Sequence, residues 1–237
     1  MGRILNIWLK AVRPNFFPAT FIPVALGGVL AWHQFTRFNW TSFLLTLVGA
    51  LFIHAGLDLA NDYFDHISGN DEINRFPTPF SGGSRVIQKG ILGPGQVLGG
   101  AVVCFLIGIA VGLFLNYLVP GNVILALGIV GIVLAFFYGA PPFRIGYKGL
   151  GELACGLGFG PIMVLGSYFV QTGRFTWPPV FVSVPVGILI ALVLYINEFP
   201  DYEADKAVNK RTLVVMLGKR KALVLITSYL IPEVVWV

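Results

Sequence analysis

Charge is what this chain has least of. Of its 237 residues only 11% are Asp, Glu, Lys or Arg, against about 25% in an ordinary soluble domain. A water-facing surface cannot be tiled from so few charges, which excludes a soluble globular protein. Cysteine is nearly absent too: Cys104 and Cys155 both sit inside apolar runs, so a disulfide scaffold is excluded. The three histidines are scattered and never paired with cysteine, so no zinc site is visible. Alternating strand patterns are missing, which argues against a β-barrel. What is present is apolar. Hydrophobic residues make up 56% of the chain and mean hydropathy is +0.81. That excludes disorder and predicts an all-α, polytopic bundle in the lipid bilayer, folded as one domain over residues 1–237.

A spanning helix needs about 20 mostly apolar residues. Seven stretches qualify: Phe16–His33, Thr41–Leu59, Val97–Tyr117, Asn122–Tyr138, Glu152–Val170, Pro179–Ile196 and Ala222–Val237. The last is a poor span, since it is short and holds Pro232 and Glu233. Lys and Arg set the orientation. With the N-terminus inside, the inner segments carry Arg3, Lys10, Arg13, Arg75, Arg85, Lys89, Arg144, Lys148, Lys206, Lys210, Arg211, Lys219, Arg220 and Lys221. The outer loops carry only Arg37 and Arg174. Cytoplasmic loops attract such an excess. This predicts a multi-pass protein of the cell's inner membrane with a cytoplasmic N-terminus. The net charge of +5 is therefore a topology signal, with no nucleic acid implied.

The acids are more informative. Nine of the 11 fall in two groups, Asp58, Asp62, Asp65, Asp71 and Glu72, then Glu198, Asp201, Glu203 and Asp205. Each group stands at the inner end of a span. Asp58, Asp62 and Asp65 are spaced i, i+4, i+7, and Asn197, Asp201 and Asp205 i, i+4, i+8, so each set shares one helix face. Like charges at that spacing repel and call for a cation. The segments Asn61-Asp62-Tyr63-Phe64-Asp65 and Asn197-Glu198-Phe199-Pro200-Asp201 share the pattern N-[DE]-x-x-D. They lie four spans apart, hence on one membrane side, as in a parallel internal repeat.

Oxygen donors in this number suit Mg²⁺ or Ca²⁺. Mg²⁺ is typically held by one or two carboxylates plus substrate phosphates. Two facing acidic patches would thus clamp a diphosphate, with Arg85 and Lys89, Arg144 and Lys148, and Lys210 and Arg211 completing the clamp from the inner loops. Metals on a diphosphate stabilise the charge it acquires on leaving. In a membrane the apolar diphosphate to expect is a polyprenyl one, and aromatic faces would stabilise the allylic cation it leaves behind.

These residues resemble the two aspartate-rich motifs of the UbiA superfamily of intramembrane aromatic prenyltransferases. Arg13-Pro14 before the first span, and Tyr138-Gly139-Ala140-Pro141-Pro142 with Lys148-Gly149-Leu150-Gly151-Glu152, are similar to that family's corresponding segments. Ser81 to Gly90 and Asn209-Lys210-Arg211-Thr212-Leu213 are closest to the menaquinone branch, which prenylates 1,4-dihydroxy-2-naphthoate. The resemblance implies Mg²⁺-dependent transfer from a polyprenyl diphosphate to an aromatic acceptor. It implies metal ligands at Asn61, Asp62, Asp65, Asn197, Asp201 and Asp205, with Asp71 a further ligand or base. Substrate contacts would come from Arg13, Asn61, Arg85, Lys89, Tyr138, Arg144, Lys148 and Asn197. The family carries nine spans, so six and a partial seventh read as a chain shortened at its C-terminus.

Two alternatives stay open on sequence. The same clamp would serve another quinone ring, a tetrapyrrole or glycerol phosphate as acceptor. An ion-coupled transporter also uses membrane acids and repeats, though there the acids favour the midplane.

Overall fold

Without water to satisfy bare backbone groups, apolar runs of this length can only close their hydrogen bonds internally, as helices. The computed structural model describes residues 2–230. Among them, five helical runs are long and apolar enough to cross a membrane: Pro14–Phe35, Trp40–Ile67, Pro94–Leu118, Gly151–Thr172 and Trp177–Ala207. A sixth apolar helix, Val123–Phe136, has 14 residues and is about 21 Å long, short of the ~30 Å hydrocarbon core.

In chain order the helices are α1 (Gly2–Ala11), α2 (Pro18–Phe35), α3 (Trp40–Ile67), α4 (Asn70–Ile73), α5 (Pro94–Leu118), α6 (Val123–Phe136), α7 (Gly151–Leu157), α8 (Met163–Thr172), α9 (Trp177–Ala207), α10 (Leu213–Leu217) and α11 (Lys219–Leu230). A π-helical turn, Gly158–Ile162 with Pro161 inside it, joins α7 to α8. The expected seventh span begins as α11; Pro232 and Glu233 lie outside the described residues.

Two expected boundaries move. The second and sixth spans were expected to end at Leu59 and Ile196, yet α3 runs on to Ile67 and α9 to Ala207. Their 28 and 31 residues give about 42 and 46 Å of helix, more than a ~30 Å core can bury. The surplus turns carry the acids. Asp62, Asp65, Glu198, Asp201 and Asp205 there each accept a hydrogen bond, and of the α3 set Asp58 and Asp65 line one cavity while Asp62 does not.

Small residues set how closely the helices approach, as is usual in membranes. Gly27 of α2 lies directly against the Val164 carbonyl and Ser167 of α8, and Ser167 Oγ donates to the Val24 carbonyl at 2.6 Å. Gly160 and Gly187 bring the π-helical turn against α9, where a Cβ on Gly160 would stand 2.6 Å from Gly187 Cα. At the inner end α1 lays Ile7 and Trp8 onto a core of Leu59, Val97 and Ala101, and leaves Ile4 and Leu5 exposed for the membrane interface.

Candidate active site

The inner ends of α3 and α9 face one cavity of about 370 Å³. Asp58, Asn61 and Asp65 line it from α3, Asp71 from α4, and Asn197, Glu198, Asp201 and Asp205 from α9. Residues separated by more than 130 positions in sequence therefore share one wall. Arg13 enters from the turn before α2, and Lys210 from the segment after α9.

α4 and the loop after it tie the two halves together. Asn74 Nδ2 donates to Asp201 Oδ1 at 2.6 Å, and the Gly82 N–H donates to Asp201 Oδ2 at 3.2 Å. Asn70 Nδ2 donates to Asp205 Oδ1 at 2.8 Å. The Ser84 N–H donates to both oxygens of Asp62, at 3.2 and 3.1 Å. Gly82 and Gly83 take left-handed backbone angles, φ +72° and +70°, open to glycine without a Cβ penalty. Gly83 needs that freedom, since a Cβ there would stand 2.7 Å from Asp71 Oδ2 and 3.0 Å from Asp62 Oδ1.

Lys210 is the cation at the centre. Its Nζ lies 3.0 Å from Asp65 Oδ2 and 3.7 Å from Asp205 Oδ1, so it bridges both acidic patches. It also stands 5.2 Å from the Tyr147 ring centroid, and the Tyr147 hydroxyl donates to Asp65 Oδ1 at 2.7 Å. Backbone anchors fix this segment: Lys210 N–H to the Asp205 carbonyl at 2.8 Å, and Arg211 N–H to the Tyr147 carbonyl at 3.1 Å. The buried Glu152 and Glu198 accept from the next N–H groups, Leu213 at 3.2 Å and Val214 at 3.4 Å. These two carboxylates hold the start of α10 and thereby the approach of Lys210.

The balance of charge still favours a further cation. Asp71, in α4 beyond the end of the α3 span, is pushed up to about 8, first by burial and then by the neighbouring Asp65 and Asp62 charges. Burial alone would depress Lys210, but Asp65 and Asp205 hold it well above the ordinary lysine range. Asp58 Oδ2, Asn61 Oδ1 and Asp71 Oδ1 are buried oxygens without a hydrogen-bond partner. Such atoms are costly, and as hard oxygen donors they fit a hard divalent cation. Among the described residues no three carboxylate, His or Cys groups converge on one point.

Behind the polar cavity lies an apolar one of about 360 Å³, walled by α3, α5, α6 and α8. His54, Leu57, Tyr138, Cys155 and Phe159 line both. His54 accepts or donates at 2.7 Å with Thr20 Oγ, sits 3.7 Å from Asp58, and meets the Phe159 ring edge-on at 4.7 Å. An oxygen-rich chamber thus shares part of its lining with an apolar one.

Of the residues expected at the site, Arg13, Asn61, Asp65, Asp71, Tyr138, Asn197, Asp201 and Asp205 line the polar cavity. Asp62 stands one layer back, behind Gly83. Arg85 is turned to the Asp71 backbone carbonyl, half-buried beside the site. Lys89, Arg144 and Lys148 are exposed and outside the cavity lining, with Arg144 over the Tyr147 ring at 5.5 Å. Their charges are of the kind that set topology, and sequence cannot separate the two roles. Asn70, Asn74, Tyr147 and Glu152 were not singled out as site residues. Asn70 and Asn74 follow the first motif closely, and that proximity was their only signal.

The profile of the UbiA prenyltransferase family matches residues 20–237. The chain is 31% identical to a 2-carboxy-1,4-naphthoquinone phytyltransferase of Synechocystis over 91% of its own length and 67% of that protein. It is 30% identical to a 1,4-dihydroxy-2-naphthoate octaprenyltransferase of Bacillus subtilis over its full length and 73% of the relative. Among solved structures, a UbiA homolog from Archaeoglobus fulgidus bound to DMAPP and Mg²⁺ superposes with a TM-score of 0.71, covering 91% of this chain and 71% of that one at 16% identity, a likeness of fold. Helices, paired motifs and family profile agree: this chain belongs to the UbiA prenyltransferase family.

Proposed function

We propose that the protein transfers a polyprenyl group from its diphosphate to the aromatic ring of 1,4-dihydroxy-2-naphthoate, with Mg²⁺ as cofactor, as a step in making menaquinone. The observation that carries this is the single cavity shared by the acidic ends of α3 and α9, with Lys210 between them and an apolar chamber behind. The names of the relatives support the choice of acceptor.

Asn61, Asp62, Asp65 and Asp71 on one side, and Asn197, Asp201 and Asp205 on the other, would hold Mg²⁺. When bound it would neutralise the diphosphate and make it a better leaving group. The chain's own residues do the rest. Lys210 and Arg13 present positive charge to the phosphate oxygens. The Asn70, Asn74 and Gly82 bonds keep Asp205 and Asp201 aimed at the cavity. Tyr138, Phe159 and His54, at the junction of the two chambers, exclude water from the allylic carbon and present aromatic faces to the charge that develops there. The apolar chamber suits an isoprenoid chain.

Membranes carrying the protein, given Mg²⁺, a polyprenyl diphosphate and dihydroxynaphthoate, should form the prenylated naphthoquinol. Asp65→Asn and Asp201→Asn should each abolish product while leaving the protein in the membrane at normal level. Normal turnover by both variants would overturn the role given to the acidic patches. Product from another quinone ring, a tetrapyrrole or glycerol phosphate in place of the naphthoate would reassign the acceptor.

A further inference from the structure

Asp65 accepts four hydrogen bonds, more than Asp62 or Asp71 beside it. Oδ1 accepts from the Tyr147 hydroxyl at 2.7 Å and from Lys210 Nζ at 3.2 Å. Oδ2 accepts from Asn61 Nδ2 at 3.0 Å and from Lys210 Nζ at 3.0 Å. An ionised carboxylate offers about four lone-pair sites, and all are taken. Asp71 Oδ1 and Asn61 Oδ1, in contrast, are buried and unpartnered. Asp65 therefore cannot serve a metal ion until a partner withdraws. Tyr147 is buried and also bonded to Ser68 Oγ at 2.9 Å, while Asn61 is fixed on α3 beside its own acceptor. Lys210 is the partner able to leave. Its backbone is anchored, but the ammonium ends a flexible four-carbon stem with rotatable donors, and it borders the cavity.

We propose that Lys210 is a latch on Asp65: its ammonium closes the acidic cleft by bridging Asp65 and Asp205, and an entering diphosphate draws it onto phosphate oxygens, opening Asp65 to the divalent cation. Lys210 is in this sense a positioning residue that makes cation loading conditional on the donor. The proposal rests on the prenyl-transfer assignment for the identity of the diphosphate, but its test reads cation binding and not turnover.

The experiment titrates Mn²⁺ into the purified full chain in detergent, following loss of the free-ion EPR signal, with no diphosphate present. Lys210→Gln should bind Mn²⁺ at least about tenfold more tightly than wild type, because Asp65 and Asp205 then face each other without a counter-charge. Lys210→Arg, which keeps the charge, should stay near wild type. Asp65→Asn added to Lys210→Gln should return the affinity to the wild-type value, which locates the gain. Lys210→Gln binding Mn²⁺ no more tightly than wild type overturns the latch. Because a buried lysine can be needed for folding, the wild type supplies an independent measurement. Saturating inorganic pyrophosphate at fixed free Mn²⁺ should raise the Mn²⁺ bound per chain, and unchanged occupancy overturns the latch as well. If the wild type prenylates the naphthoate while Lys210→Gln leaves Mn²⁺ affinity unchanged, only the latch fails. Tightened Mn²⁺ in a protein that prenylates no acceptor rejects the assigned reaction and leaves the latch standing.

Discussion

At the scale of single residues, Gly83 is the glycine that stands against two carboxylates of the site. Its φ of +70° costs an L-residue about 1–2 kcal/mol. A methyl group there would also push on Asp71 Oδ2 and Asp62 Oδ1, at 2.7 and 3.0 Å. Both carboxylates are buried, so they can yield only by moving into the cavity or by breaking the Ser84 N–H bonds to Asp62. Gly83→Ala should therefore lower kcat/KM for the prenyl diphosphate by at least about tenfold, equivalent to ~1.4 kcal/mol, while the protein still accumulates in the membrane. Unaltered kinetics would show that the glycine pair is only a flexible turn. Sequence alone left that choice open, because a Gly-Gly pair reads the same whether it bends a chain or lets carboxylates approach it. Lys210 was equally hard to rank by sequence. It is one of many inner-side cations, and nothing in its neighbours' spacing separates it from Lys89 or Lys148, which are exposed.

At the scale of helices, the second acidic patch is aimed by the seam between α7–α8 and α9. The seam is made of glycines: a Cβ on Gly187 would stand 2.6 Å from the Gly156 carbonyl oxygen. Backbone atoms cannot swing aside as a side chain would, so the helices must part. Gly187→Ala should cost about 1–3 kcal/mol, seen as a lower melting midpoint in detergent, and should reduce prenyl transfer by displacing Asp201 and Asp205. Gly128→Ala is the control: it lines the apolar chamber with nothing within 4 Å of its would-be Cβ, and it should leave both properties unchanged. Equal behaviour of the two variants would remove the seam from the account. Much at this scale was legible beforehand. Apolar length located the spans, and i, i+4 spacing put each set of acids on one face. Hydropathy ended α3 and α9 too early, because it registers carboxylates as the end of a span whether or not they are paired. The bonds of Asn70 to Asp205 and Asn74 to Asp201 were not legible, since they depend on how α4 and the loop after it fold back across the bundle. No periodicity within either segment encodes that path.

For the whole molecule, orientation decides which compartment supplies the substrates. The outer-loop cations Arg37 and Arg174 lie at the end of the bundle where Gln171 joins Asn39 in both directions, accepting from its N–H at 2.9 Å and donating to its carbonyl at 3.0 Å. Trp40 and Trp177 are exposed there, as side chains of a membrane-interface belt are. The acidic cavity, Lys89 and Lys148 belong to the opposite end, with nearly all of the lysine and arginine. That asymmetry predicts a cavity mouth on the cytoplasmic side, the side from which a diphosphate and a water-soluble aromatic acid would reach it without crossing the bilayer. Single cysteines introduced at Arg37 or Arg174, in a chain whose Cys104 and Cys155 are replaced by alanine, should react with a membrane-impermeant maleimide in intact cells. Cysteines at Lys89 or Lys148 should react only after the inner membrane is opened. The reverse pattern would put the acidic cavity on the outer side and require both substrates to be exported first. All four positions are exposed, so burial cannot imitate protection by the membrane, and the labelling reports topology alone.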